Sequence, residues 1–202
     1  MPTAPTITSA YAYHVATPLG PITLIWGSAQ SNAPLPSLTD PLYLMALFFA
    51  DHESKFTHPW LELGRKNPNN AAAQEVLRHH PDLRTALKWL EQYFSGHEPE
   101  VPLPQLVPLG QPFSLMVWRE LSTIAYGATI TYGELAHRLF PEQGKNMARA
   151  IGGAVGHNPI ALMIPCHRVI GANGKLTGYA YGLERKRQLL ELEAQACATK
   201  RK

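Results

Sequence analysis

Cysteine is scarce in this 202-residue chain: there are two, Cys166 and Cys197. The second lies in a polar tail, where a bridge would staple little, which argues against a disulfide scaffold and fits a reducing cytosol. Long apolar runs are missing too, and none approaches the roughly 18 to 20 residues of a membrane span. The N-terminus lacks the charged start and apolar core of an export signal. A cytoplasmic protein, neither exported nor membrane-bound, is expected. There is no internal repeat and no low-complexity segment. At 45% hydrophobic and 16% charged, the chain can bury one substantial core or two small ones and is globular rather than disordered.

The charge that is present is unevenly placed. Residues 1–108 carry 6 Lys+Arg against 9 Asp+Glu, whereas residues 109–202 carry 12 against 6. The C-terminal half is therefore the candidate for a polyanionic partner, although scattered cations also form ordinary solvated faces.

Tyr11 to Val15 and Pro21 to Trp26 are rich in β-formers and flank the turn signal Pro18-Leu19-Gly20-Pro21, which predicts a hairpin. Leu42 to Ala50 is apolar nearly throughout and fits a buried strand or a helix; its shortness and bounding prolines favour the strand. His52 to Asn70 reads as a long surface loop. Ala71 to His80 and Asp82 to Phe94 read as helices, the second with Leu83, Ala86, Leu87, Leu90, Tyr93 and Phe94 on one face and Gly96 as its stop. Five prolines between His97 and Pro112 mark an interdomain linker, giving domains at 1–97 and 113–202 with 98–112 between them.

Beyond the linker, Phe113 to Ile124 has helical spacing. Thr131 with Glu134 three residues later is the capping-box pattern that opens a helix, which runs to about Phe140. After Pro141 to Gly144 a second short helix, Asn146 to about Val155, completes a helix-turn-helix. Its surface is crowded with small residues: Ala148, Ala150, Gly152, Gly153 and Ala154. Glycine costs a helix roughly 1 kcal/mol each, so the pair implies close approach to another backbone, either a neighbouring helix or a nucleic-acid groove. Val169-Ile170, the Asn173-Gly174 turn and Lys175 to Gly178 read as a small hairpin, and Leu183 to Gln195 as a closing helix. The sum is a winged helix-turn-helix.

At the centre stands Ile164-Pro165-Cys166-His167-Arg168-Val169-Ile170. Cationic or histidine neighbours favour the thiolate, which is the nucleophilic form of cysteine. Taken alone, Cys166 could equally be a small buried hydrophobe, as most free cysteines are.

The run from Phe113 through Glu193, with Val117-Trp118, Gly127, Thr131-Tyr132-Gly133-Glu134-Leu135-Ala136, Ala148-Arg149-Ala150, Asn158-Pro159, Pro165-Cys166-His167-Arg168-Val169 and Gly174 to Gly182, resembles the methylated-DNA-protein-cysteine methyltransferases. These are suicide proteins that remove alkyl groups from the 6-oxygen of guanine in DNA. The N-terminal half resembles the bacterial members more weakly, mainly through Ala16-Thr17-Pro18-Leu19-Gly20-Pro21. The resemblance implies an α/β (α+β) protein with an N-terminal ribonuclease-H-like α/β domain and a C-terminal winged helix-turn-helix domain.

It further implies that Cys166 accepts the alkyl group irreversibly, that His167 acts on the thiol through a water, and that Glu193 orients His167. Tyr132 would donate a proton to the leaving guanine, and Asn158 would tie the recognition helix to the active-site strand. Main-chain groups of Cys166 and Val169 would read the base, with Tyr179 and Ala180 in the pocket. Arg149 would fill the vacancy left by a flipped base. Ala148, Ala150, Gly152 and Gly153 would give the recognition helix a surface slim enough for the minor groove. No cofactor is implied, and a structural zinc is not expected because no cysteine precedes Cys166. The implied partner is alkylated double-stranded DNA met by a monomer, with 6-O-methylguanine preferred over 4-O-methylthymine.

Two departures stand out. The segment between Tyr132 and Arg149 is a few residues longer than in familiar members, so the turn at 141–145 should protrude, and Ala180 stands where some members have serine. Two rival functions share the fold: a binding-only reader of alkylated DNA would lack the acceptor thiol, and a winged-helix regulator has no use for a Cys, His, Tyr and Glu constellation.

Overall fold

The computed structural model describes residues 5–29, 35–51, 71–142 and 144–199. The expected loop at 52–70 lies outside the described residues, as does part of the long turn at 141–145. The chain divides into two compact units, one of residues 1–95 with 99–108, the other of 96–98 with 109–202.

The first unit is built on a three-stranded antiparallel sheet, in the order β1 (Ser9–Val15), β2 (Ile22–Ser28), β3 (Leu42–Phe49). Gly20, with φ at 112°, closes the β1–β2 connection and donates its N–H to the Thr17 carbonyl at 3.1 Å. That positive φ is the reason for glycine there. Every residue of the central strand β2 is buried, as a run apolar on both faces requires. Two helices follow, α1 (Ala71–His79) and α2 (Pro81–Phe94). The start of α2 is fixed by Pro81 in its first turn and by His80, whose Nδ1 accepts from the Asp82 N–H while its Nε2 donates to the Asp40 carbonyl. The buried face of α2 is Leu83, Ala86, Trp89, Leu90 and Tyr93. Leu87 and Phe94, expected on that face, are half-buried.

The stretch expected as a bare linker at 98–112 is in part a structural element. Leu44 donates to the Gln105 carbonyl at 2.8 Å and accepts from the Val107 N–H at 2.9 Å, a parallel bridge that brings 105–107 onto the edge of β3. Prolines on either side do not prevent this, because the donors used belong to Leu44 and Val107.

In the second unit, α3 (Pro112–Leu121) is followed by the short strand β4 (Ile130–Thr131), helix α4 (Tyr132–Leu139) and helix α5 (Gly144–Gly156). The capping box is formed: Thr131 Oγ1 accepts from the Glu134 N–H at 3.1 Å, and Glu134 returns its carboxylate to the Thr131 N–H at 2.7 Å. Trp118 on α3 donates its indole N–H to the Ala154 carbonyl of α5 at 2.8 Å, both buried. Strand β5 (Val169–Ile170) and helix α6 (Leu183–Thr199) complete the unit.

The expected wing hairpin at 169–178 is not a strand pair. β5 pairs instead in parallel with β4, Ile130 opposite Val169. Asn173 and Gly174 do make the tight turn, both at positive φ. The returning segment, however, aims its Thr177 and Gly178 carbonyls at the Lys186 ammonium, at 2.8 and 3.2 Å, rather than across a ladder. One backbone bond closes the turn, from the Gly171 N–H to the Lys175 carbonyl at 2.8 Å, and beyond it the charged ammonium, a stronger donor than an amide, holds the segment. Among the described residues no helix is long and apolar enough to cross a membrane, and no group of three or more His, Cys, Asp and Glu is placed to hold a metal ion.

Candidate active site

Cys166, His167 and Arg168 form one 3-10 turn entered from Pro165, and all three are buried. The approach is strained: Leu162, buried, sits at φ 66°, a left-handed conformation costing an L-residue roughly 1–2 kcal/mol. Asn158 holds this loop. Its side-chain amide donates to the Ile164 carbonyl at 2.7 Å and the Ile160 carbonyl at 3.3 Å, and its oxygen accepts from the Ile160 N–H at 3.1 Å. These bonds make a clasp on 158–164 that ends two residues ahead of the cysteine.

The surroundings of the thiol differ from the sequence reading. Burial pushes the Cys166 thiol above its usual value, opposed by the Asn158 side chain, the Lys186 charge and the backbone at Cys166 and His167. The expected help from the adjacent arginine is not what is seen, because the Arg168 guanidinium turns to Glu193. Nε donates to Oε2 at 2.9 Å and Nη2 to Oε1 at 3.0 Å, a two-point fork, while Nη1 donates to the Ile124 carbonyl at 2.7 Å. The guanidinium also lies 5.4 Å from the centre of the Tyr126 ring. The cation whose charge favours the thiolate is Lys186, which the sequence reading missed. It is fully buried and donates Nζ to the carbonyls of Val169 at 2.5 Å, Thr177 and Gly178. Burial lowers its pKa to about 8, with the Cys166 charge pulling the other way, so at neutral pH it remains mostly an ammonium.

His167, Glu193 and Arg168 form one buried cluster. His167 Nε2 lies 2.8 Å from Glu193 Oε1, and the Gly127 N–H donates to Glu193 Oε2 at 3.0 Å. Burial opposes ionisation of Glu193, but the hydrogen bond from His167 and the two-point fork and charge of Arg168 outweigh it and hold the carboxyl at about 2. Burial drives the His167 pKa down despite Glu193, so the imidazole is neutral, with its Nε2 proton on the carboxylate. The signal for Lys186 was present in the sequence: it stands seven residues before Glu193, two helical turns, and the buried stripe of α6 is Lys186, Leu189, Glu193 and Ala196.

Two phenols complete the surroundings of the thiol. Tyr132, half-buried in the first turn of α4, points its hydroxyl at the Gly178 carbonyl, 3.4 Å away. Its pKa is raised by burial and then by the Cys166 charge. The Tyr179 hydroxyl is buried and has no hydrogen-bond partner among the described residues, and its pKa is pushed far up by burial and by Cys166. Its ring meets that of Tyr181 edge-on at 5.3 Å, and Ala180 between them is half-buried. The Cys166 carbonyl accepts from the Val169 N–H, and the Val169 carbonyl already accepts from Lys186. Each carbonyl retains a second lone pair.

The residues expected on the recognition helix are not drawn into this cluster. Arg149, Ala150 and Gly153 are exposed on α5, and Ala148 is half-buried. A methyl group added at Gly152 would meet only the Tyr132 ring, at 3.8 Å, and one at Gly153 would meet nothing within 4 Å. Neither glycine is required by a neighbouring helix of this chain.

The family described as 6-O-methylguanine DNA methyltransferase, DNA binding domain, matches residues 112–195. A methylated-DNA–protein-cysteine methyltransferase of Mycolicibacterium paratuberculosis is 51% identical over 108 residues, 54% of this chain and 63% of that protein. One from Methanosarcina acetivorans is 49% identical over 110 residues, 54% and 68% of the two chains. Against the first of these the chain therefore spans less than two thirds of the relative's length. A crystal structure of Mycobacterium tuberculosis OGT in complex with DNA superposes with a TM-score of 0.64 at 35% identity, covering 92% of this chain and 94% of that one. With a relative of that identity matched over nearly its whole length, and with the family's motifs gathered around one buried thiol, this chain belongs to the methylated-DNA–protein-cysteine methyltransferase family.

Proposed function

We propose that this protein repairs DNA by direct reversal, moving the alkyl group of 6-O-methylguanine, and more weakly of 4-O-methylthymine, irreversibly onto Cys166. The observation that carries the reading is the company of the thiol: a neutral histidine held by a carboxylate, a buried ammonium, a half-buried phenol and a second whose hydroxyl is buried, all around one cysteine that is 5% exposed. Burial keeps the resting thiolate fraction below the few per cent of a free thiol at neutral pH, so a base is needed and His167 is the group to accept the proton. The sulfur then attacks the alkyl carbon. The S–C bond forms as the C–O bond breaks, and the electron pair leaves with guanine. Tyr132, kept protonated by its raised pKa, supplies a proton to the departing base. The proton taken by His167 balances the one given by Tyr132.

A thiol this deep is out of reach of a base inside a duplex, so the base must leave the stack, at a cost of a few kcal/mol. Arg149, exposed on α5, is the group to occupy the gap. The open surface at Ala150 and Gly153, together with Ala148 and Gly152, lets the helix lie in the minor groove, since bulk there would only obstruct it. Val169, Tyr179 and Ala180 form the base pocket, and Asn158 fixes the loop that presents Cys166. The protein works as a cytoplasmic monomer without a cofactor.

The test is stoichiometry. A thioether is neither hydrolysed nor exchanged by thiols, so methyl transfer from alkylated duplex should stop at one event per protein. Intact-mass and peptide analysis should find one methyl group on Cys166 and none on Cys197. Cys166→Ser should bind DNA and transfer nothing. Repeated turnover, or a methyl group elsewhere, overturns the proposal; DNA binding with no mass gain in the wild type would assign the protein as a reader of damage instead.

A further inference from the structure

Glu193 is shared, and how it is shared decides the charge of His167. The carboxylate accepts from the imidazole at one oxygen, 2.8 Å, but from Arg168 at both, 2.9 and 3.0 Å. Arg168 is held in that pose by its third contact, to the Ile124 carbonyl at 2.7 Å, and by the Tyr126 ring. We propose that Arg168 is a positioning residue for the transfer reaction: by neutralising Glu193 through a two-point fork, it keeps His167 an uncharged base, so that the carboxylate orients the ring without turning it into an imidazolium.

The alternative state is easily specified. A histidine facing a buried carboxylate with no other counter-charge becomes protonated, because the two desolvated groups are then each other's only compensation. An imidazolium cannot take a thiol proton. With Arg168 in place the charges around His167 are already matched: Glu193 is paired with Arg168, and the Lys186 ammonium is held by the carbonyls of Val169, Thr177 and Gly178. A further positive charge on the ring would face two cations, Arg168 and Lys186, against one carboxylate. The neutral tautomer with the proton on Nε2 puts the basic lone pair on Nδ1, and Glu193 fixes that tautomer. This division of labour rests on the alkyl-transfer reading above, but its first test does not.

That test is the titration of His167 by NMR in the DNA-free full-length protein, with the signal assigned by its loss in His167→Asn. In the wild type the ring should titrate below the ordinary histidine range and be neutral at pH 7. In Arg168→Met the ratio of charged to neutral ring at any given pH should rise at least tenfold, while Arg168→Lys, which keeps the charge and loses the fork, should stay near the wild type. A wild-type His167 charged at pH 7 overturns the proposal with no variant needed. So does an unchanged titration in Arg168→Met or, should that variant not fold, a raised one in Arg168→Lys. If the wild type transfers methyl groups, the single-turnover rate of Arg168→Met should fall more at pH 6 than at pH 8.5. An equal loss at both would assign Arg168 to packing alone. Failure of the wild type to transfer at all would strike the alkyl-transfer reading and leave the titration result standing.

Discussion

Replacing Glu193 by alanine should destabilise the second unit by several kcal/mol, and the amount follows by two routes. The side chain is fully buried and accepts hydrogen bonds from His167, Arg168 and the Gly127 backbone. Alanine strands the Arg168 guanidinium in the interior without that carboxylate, and breaking a buried pair from one side costs about 3–5 kcal/mol. The second route is proton linkage. A carboxyl lowered from 4.5 to about 2 in the fold contributes about 3 kcal/mol, at about 1.4 kcal/mol per pH unit. Because the folded pKa lies below the unfolded one, the unfolded chain binds more protons between the two values. The stabilisation is therefore complete above pH 4.5 and is lost as the pH falls toward 2. Urea unfolding followed through the methyl NMR signals of Val169 and Leu189, both buried in this unit, reads the effect. Glu193→Ala should lose about 3–5 kcal/mol at pH 7, and Glu193→Gln, which cannot ionise, should lose most of the wild type's decline between pH 4.5 and 2. A loss under about 1 kcal/mol for alanine, within the range of a single ordinary hydrogen bond, would refute the reasoning. Parallel acid declines in wild type and Glu193→Gln would do the same.

Lys186→Met should slow labelling of Cys166 by iodoacetamide at pH 7 by roughly tenfold, since a nearby opposite charge is worth about a pKa unit or more to a buried anion. The wild-type advantage should fade as the pH rises through about 8, where the buried lysine loses its proton; equal labelling of the two proteins at pH 7 would remove Lys186 from the site. Affinity for duplex DNA should fall with added salt if the basic half contacts phosphates. Arg149→Ala should slow methyl transfer from paired bases more than from single strands, because only the duplex requires extrusion, and equal slowing of both would contradict the finger role.

Local signals in the sequence carried much of this fold because they have local physical causes. The Thr131–Glu134 box, the Pro81 start of α2 and the β1–β2 turn are each decided within a few residues, by a cap, a fixed φ or a glycine at positive φ. The N-terminal hairpin followed from β-rich runs about a turn signal, and the strand at 42–50 from an apolar run that is short and proline-bounded, which favours a strand over a buried helix. The errors arose where distant groups compete for the same backbone. The wing at 175–178 has hairpin turn chemistry and no strand pair: after the single Gly171–Lys175 bond the segment is held by Lys186, on a helix the pattern treats as separate. The proline-rich stretch at 98–112 reads as a linker by composition, yet 105–107 meet the β3 edge, a pairing across some sixty residues that no local pattern encodes.

The same limit applies with more consequence to the charges of the site. From Cys166-His167-Arg168 as a string, both neighbours should act on the thiol. In the fold they do not share a direction, because a 3-10 turn spaces successive side chains about 120° apart, and the arginine's direction is the one that Glu193 occupies. The cation whose charge favours the thiolate comes from α6, and so does the carboxylate that His167 meets. Lys186 and Glu193 lie two turns apart on one buried stripe, so a single helix delivers a positive charge to the sulfur side and a negative one to the imidazole side. Burying either charge alone would be unfavourable by several kcal/mol. Each is tolerated because a partner meets it: three carbonyls for the lysine, and Arg168, His167 and the Gly127 N–H for the glutamate. Helix α6 is therefore as much part of the reactive apparatus as the turn that bears the cysteine, although its sequence, read alone, is that of an ordinary charged closing helix.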